Sequence, residues 1–209
     1  MSYKLQAITL WPEWLPMFFL PERRGPECLE PECSAKAYTD ACRMRQGSGE
    51  NAASCSSFRL DPPRPKRVEN RDWEAARIPH HVVGRWLAFH AGKDIGGAKA
   101  GKKGQEAALD AVAEVAEAAG WPLHIILEAT RPENLIRSAI VALMRIDAIN
   151  TQPSPDPWAF DPPAWQLVIG EVRQIEPVPC QGSQGIWAVS EQIRRAVLAE
   201  CAKHPEWKW

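Results

Sequence analysis

Nine consecutive residues, Pro65-Lys66-Arg67-Val68-Glu69-Asn70-Arg71-Asp72-Trp73, constrain this chain more than any other stretch. Charged and amide side chains surround one aliphatic residue, Val68. A strand over Val68 to Asp72 alternates its side chains between two faces. Arg67, Glu69 and Arg71 then share one face, and Val68 and Asn70 take the other. Lys66 cannot join the Glu69 face of a regular strand, so it belongs to the turn that feeds it. A carboxylate flanked by guanidiniums at i−2 and i+2 is a pre-paired cluster. It can sit in a cleft without an uncompensated buried charge. On a solvated edge strand the same residues would make only ordinary surface ion pairs. The rest of the chain has to decide between the two.

A chain of 209 residues is long enough for one domain with a real core. Its formal net charge of −1 excludes a bulk polycation that coats nucleic acid. Anion binding must then come from local basic patches, at 64–67 and 93–103. Nineteen prolines point to many turns and early-ended strands, against a helical bundle. Ten tryptophans supply flat faces that serve a core or stack a base equally well. No run reaches the roughly 18 apolar residues of a membrane span. The run 7–20 is broken by Pro12, Glu13 and Pro16 and lacks a small-residue cleavage site, so it is not read as a signal peptide. Six cysteines without a signal read as reduced thiols in a cytoplasmic protein.

In chain order, 4–10 alternates as a first strand, and Pro12 opens a short helix through Leu20. Residues 22–64 carry few large apolar groups and the spacing Cys28-x4-Cys33-x8-Cys42-x12-Cys55. Four thiols could hold a structural zinc, yet zinc modules favour tighter pairs. Zinc and an unliganded flexible insertion both stay open. A strand over 84–90 is followed by Gly96-x4-Gly101-Lys102, superficially a phosphate-binding loop. Lys103 stands where that motif needs Ser or Thr, so a mobile basic loop is the better reading. A helix over 105–119 follows, with Leu109, Val112, Ala116 and Ala119 as its stripe. Residues 123–127 fit a strand or a helix.

A long buried strand covers 139–149, and 151–163 is a proline-rich loop carrying Trp158 and Phe160. Another strand runs over 165–175, with Pro177 and Pro179 ending it. A short strand surrounds Trp187. Ser190 then caps a C-terminal helix whose apolar face is Ile193, Val197, Leu198 and Cys201. Five or six strands with two or three helices, not regularly alternating, fit an α+β fold: a small barrel decorated by helices.

Several of these residues, in this order, resemble the ASCH domain of the PUA-like superfamily. They are Ile8-Thr9-Leu10-Trp11 with Trp14, Lys66-x-x-Glu69-Asn70-Arg71-x-Trp73, His90-Ala91-Gly92-Lys93, and Pro177-Val178-Pro179-Cys180-x-Gly182-x-Gln184-Gly185-Ile186-Trp187. The resemblance implies a single ASCH-like domain over 1–209, with the cysteine-bearing insertion at 22–64 and the basic loop plus helix at 92–120. It also implies a cleft beside the first helix, suited to RNA, single-stranded DNA or a modified nucleoside. Some relatives bind nucleic acid, and some hydrolyse the acetyl amide of modified cytidine with a lysine, a threonine three residues on and a distal glutamate. Lys66 matches that lysine, but Glu69 occupies the threonine position. Arg64 replaces a usual glycine, and Glu13 stands where a proline usually adjoins the tryptophan.

The site expected on these grounds comprises Trp14, Lys66, Glu69, Asn70, Arg71, Trp73, His90 and Lys93. Lys66 and Arg71 would engage a phosphate or a base edge, while Glu69 orients Arg71. Trp14 or Trp73 would stack a base. Lys66 and Glu69 would be catalytic only in an enzyme, an amidohydrolase or ribonuclease. His90 ends an apolar strand, which suits a structural imidazole or a proton carrier. No cofactor beyond the possible zinc at Cys28, Cys33, Cys42 and Cys55 is called for, and the oligomeric state is left open.

Overall fold

The computed structural model describes residues 4–19, 65–72, 74, 77–97, 99–152, 154–160 and 165–207. The four candidate zinc cysteines and Trp73 lie outside these residues. The chain divides into one unit of Met1–Leu20 with Pro65–Trp209, described below, and a second of Pro21–Arg64.

Six strands form one sheet: β1 (Gln6–Leu10), β2 (Val68–Arg71), β3 (Trp86–Ala91), β4 (Ala139–Asn150), β5 (Trp165–Pro179) and β6 (Ile186–Ala188). Their order across the sheet is β2-β5-β4-β3-β1-β6. Only β1 and β3 run parallel, with Thr9 opposite His90; the remaining pairs are antiparallel. Four α-helices accompany them: α1 (Pro16–Phe19), α2 (Gly101–Ala118), α3 (Leu123–Ala129) and α4 (Glu191–Cys201). The class is α+β, as expected, with one helix more among the described residues than the expected two or three.

The sheet curls into a half-barrel, and one hydrogen bond shows it. Arg71 on β2 donates from Nη2 to the carbonyl of Thr9 on β1, at 2.7 Å. Those strands are four places apart, about 19 Å in a flat sheet, beyond an arginine's reach. Apolar side chains explain the curl. Ile8, Leu10, Phe18, Leu87, Phe89, Ile146, Leu167 and Ile169 fill the concave side. Ala7, Ala88, Ile140, Leu143 and Ile175 pack on the other side against Val197 and Cys201 of α4. β4 is buried from Ala139 to Met144 because it has a core on both faces, which accounts for its unbroken apolar run.

Several expectations are corrected. Residues 123–129 are helical. Pro177 does not end β5, which runs on to Pro179 as its last residue. Among the described residues β2 pairs only with residues 165–168 of β5, and no strand pairs with the later part of that edge. The β4–β5 register also shifts between Ile140 and Ala142, and edges and bulges are where a strand tolerates proline. Leu198 is 45% exposed; the buried stripe of α4 is Val197 and Cys201, with Ile193 partly covered. Ser190 caps that helix as expected, accepting from the amide of Ile193. Helix α2 begins four residues earlier than its apolar stripe announces. It ends at Gly120, whose φ of 86° lets the Trp121 amide close back on the Ala116 carbonyl at 2.9 Å.

Candidate functional site

The site grows from the turn that feeds β2. The amide of Lys66 donates to the carbonyl of Met17 in α1 at 2.9 Å, which directs the lysine side chain inward. Lys66 is only 2% exposed. Its Nζ lies 5.1 Å from the ring centroid of Trp14, 5.4 Å from Phe18 and 5.9 Å from Trp158. The ammonium donates to the carbonyl of Val68 and stands 3.5 Å from Glu69 Oε2. Rings around a desolvated ammonium attract it, and Glu69 supplies the counter-charge that burial demands. Burial still holds the Lys66 pKa below the ordinary lysine range, with Glu69 working against that shift. The side chain therefore reaches Glu69 from the turn, off the regular strand face.

Glu69 and Arg71 share a face of β2, as the alternation requires. Arg71 Nη2 lies 3.2 Å from Glu69 Oε1, and the two side chains keep 20% and 13% of their surface open. The buried Arg71 Nε has no hydrogen-bond partner among the described residues. Lysine, carboxylate and guanidinium thus form one chain of contacts that runs from sealed to partly open, with a net charge of one positive unit.

Asn70 faces the other way and holds the aromatic loop. Its Nδ2 donates to the carbonyl of Trp158 at 2.7 Å, and its Oδ1 accepts from the amide of Phe160 at 2.9 Å. Gln166 Nε2 donates to the carbonyl of Phe160 at 3.0 Å, and Asp156 Oδ1 accepts from the amide of Trp158 at 2.8 Å. Trp158 is thereby buried against Lys66, while Phe160 stays exposed beside Trp14 with ring centroids 6.2 Å apart. Trp14 meets Trp158 edge to face at 6.5 Å. Sequence reasoning named Trp158 and Phe160 only as loop residues and missed their place. Proline-flanked aromatics in a long loop were the available signal.

Thr9 was also missed. Its carbonyl takes Arg71, while its hydroxyl donates to the Ser183 carbonyl at 2.7 Å and accepts from Trp187 Nε1 at 3.1 Å. His90, opposite Thr9 in register, belongs to this second group. It is buried, with Nε2 3.2 Å from the Cys180 carbonyl and its ring edge-on to Trp187 at 5.8 Å. Burial lowers its pKa, partly offset by the Cys180 carbonyl. A Cβ at Gly182 would fall 2.2 Å from His90 Cε1 and 2.9 Å from Thr9 Oγ1, so only glycine fits there. His90 packs beneath this glycine, and none of these contacts is with Lys66.

Glu13, in the position where the resemblance expects proline, is fully buried. Its Oε1 accepts from the amide of Gly96 at 2.8 Å, and its Oε2 has no partner among the described residues. Desolvation raises its pKa, against hydrogen bonds that lower it. Glu13 thus fastens the glycine loop to the turn that carries Trp14. Lys93 lies exposed in that loop. Among the described residues no group of three His, Cys, Asp or Glu side chains is placed to hold a metal ion. No helix among them is long and apolar enough to cross a membrane.

No protein-family model matches the chain, and no curated protein does. Among solved structures it is similar to ASCH from Zymomonas mobilis, at 12% identity over 94% of each chain with a TM-score of 0.37. A point mutant of that protein gives 13% identity over 94% of this chain and 95% of the other, with a TM-score of 0.39.

Proposed function

We propose that this chain is an ASCH-like module that binds RNA or single-stranded DNA by taking one base against Glu69 and Arg71. The observation that carries this reading is the graded cluster on β2. Lys66 is sealed by three rings, whereas Glu69 and Arg71 stay partly open, and one of those rings, Trp14, meets exposed Phe160 edge to face. A carboxylate next to a guanidinium offers an acceptor and a donor side by side, which complements the edge of a base bearing an exocyclic amine and a ring acceptor. Trp14 and Phe160 supply faces for stacking. Lys66 acts from behind, orienting Glu69 and cancelling its charge, and Asn70 positions the loop. Lys93 and its neighbours serve the phosphates.

Hydrolysis of a modified nucleoside or of RNA is the second reading. One observation favours it: a lysine whose pKa is lowered by burial stands 3.5 Å from a carboxylate, a pair suited to moving a proton. Both readings are tested by incubating the protein with short RNAs, single-stranded DNA and modified nucleosides, following retention and product together. The binding reading expects salt-dependent retention without product, weakened about tenfold or more by Arg71→Ala. Product that disappears with Glu69→Gln would establish the hydrolase instead. Neither retention nor product would remove both.

A further inference from the structure

We infer that the ligand is a strand of at least two nucleotides, not a free nucleoside, and that Trp11 with Gly97 and the lysines before and in the first turn of α2 forms a second subsite. The inference rests on the nucleic-acid reading above and extends it. Trp11 begins the 3-10 turn Pro12–Trp14, and its carbonyl accepts from the amide of Trp14 at 3.2 Å. The two indoles that bracket this turn have different surroundings. Trp14 is half-enclosed by Lys66, Trp158 and Phe160. Trp11 stands outside that group, 52% exposed, with its indole N–H unbonded among the described residues. A large aromatic side chain held in that way, next to a polar site, is unspent binding surface.

What borders Trp11 names the ligand's chemistry. A Cβ at Gly97 would lie 3.5 Å from Trp11 Nε1, so the loop backbone runs directly alongside the indole. Gly96 and Gly97 both have positive φ, 66° and 89°, which disfavours any side chain, and a Cβ at Gly96 would also crowd Gly104, Ala100 and Ala108 at 3.0–3.2 Å. Glu13 holds the same loop through the Gly96 amide. Around this fixed ledge Lys93, Lys99, Lys102 and Lys103 are all exposed, and none makes an ion pair among the described residues. Elsewhere on the surface, by contrast, Lys203 is paired to Glu200 at 2.6 Å. An exposed indole lying along the Gly97 backbone, with unpaired ammonium groups on the segment either side of that glycine, fits a base with its phosphate. A lone nucleoside held at Glu69 and Arg71 would leave all of this unused.

The test compares mono-, di- and hexaribonucleotides of each base with the full chain by calorimetry. Wild type is expected to bind the dinucleotide and hexanucleotide about tenfold more tightly than the mononucleotide. Trp11→Ala should abolish that gain while leaving mononucleotide affinity unchanged, and Trp11→Phe should restore it. Lys99→Gln and Lys103→Gln should flatten the salt dependence for the hexanucleotide only. Mononucleotide binding with no gain from length, or a gain that survives Trp11→Ala, overturns the subsite but spares the Glu69–Arg71 reading. No binding of any of them removes both.

Discussion

Two strand pairs in this molecule look alike in sequence and differ in everything else. Glu69 and Arg71 on β2, and Arg145 and Asp147 on β4, each place a carboxylate and a guanidinium two residues apart. The β4 pair has the closer geometry, with Arg145 Nε 2.8 Å from Asp147 Oδ1 against 3.2 Å for Arg71 and Glu69. Yet Arg145 and Asp147 are both 42% exposed, and water competes for each of their contacts. The β2 pair is mostly covered, and it balances a third charge, Lys66, that water hardly reaches. Distance therefore does not tell which pair matters. The surroundings do: rings from α1, its preceding turn and the loop before β5 close over Lys66, to which the β2 pair is joined, and the β4 pair stands open.

The largest expected effect breaks this contrast if it fails. Glu69→Ala leaves the Lys66 ammonium and Arg71 without their common counter-charge, a change that costs about 3–5 kcal/mol for a buried partner. Asp147→Ala should cost only a small fraction of that. Urea denaturation followed by tryptophan fluorescence measures both, and equal midpoints would show that the enclosure around Lys66 has no energetic consequence. Next in size is Asn70→Ala. It leaves the Trp158 carbonyl and the Phe160 amide without their partner, at roughly 1–3 kcal/mol for each group that ends up buried. Asn70→Asp keeps the acceptor for Phe160 and loses the donor to Trp158, so it should fall between wild type and Asn70→Ala. Near-ultraviolet circular dichroism should report the freed aromatic loop in the same order.

The same contrast explains what was legible in advance. Period-two alternation placed Glu69 and Arg71 on one face and Asn70 on the other, because a strand leaves no other choice. The buried run of β4 and the stripe of α2 were visible for equally local reasons. A barrel-like closure was also expected from the pattern of strands and helices, but the contact across it, Arg71 meeting Thr9 over four strand places, was not. Nor was the cage. Trp14 and Phe18 come from one segment well before Lys66 and Trp158 from a loop well after it, and nothing local to Lys66 says that rings will surround it. Pro177 misled because its cost depends on whether the strand edge has a neighbour, which is a property of topology; Pro179 does close the strand.

A third and smaller effect sharpens the comparison through pH. Burial depresses the Lys66 pKa in the folded chain below the ordinary lysine value of 10.5, to which unfolding returns it. Between those two values the unfolded state binds the extra proton and the native state does not. Stability contributed by this group therefore rises with pH across that window, and below it the full penalty of burying the charge remains. Glu13, also buried, runs the other way: its raised pKa makes its contribution fall as pH climbs through the folded value. The Lys66 window ends at 10.5 and the Glu13 window begins at 4.5, and variants separate the two. Lys66→Met should lose the alkaline rise, Glu13→Gln the acidic fall, and Asp147→Ala neither, because the Arg145 guanidinium keeps its proton throughout. Thermal melts from pH 5 to 10 on the four proteins provide the measurement. Parallel curves for wild type and Lys66→Met would mean that the ammonium titrates as it does in water, and the difference between the β2 and β4 pairs would then be one of shape alone.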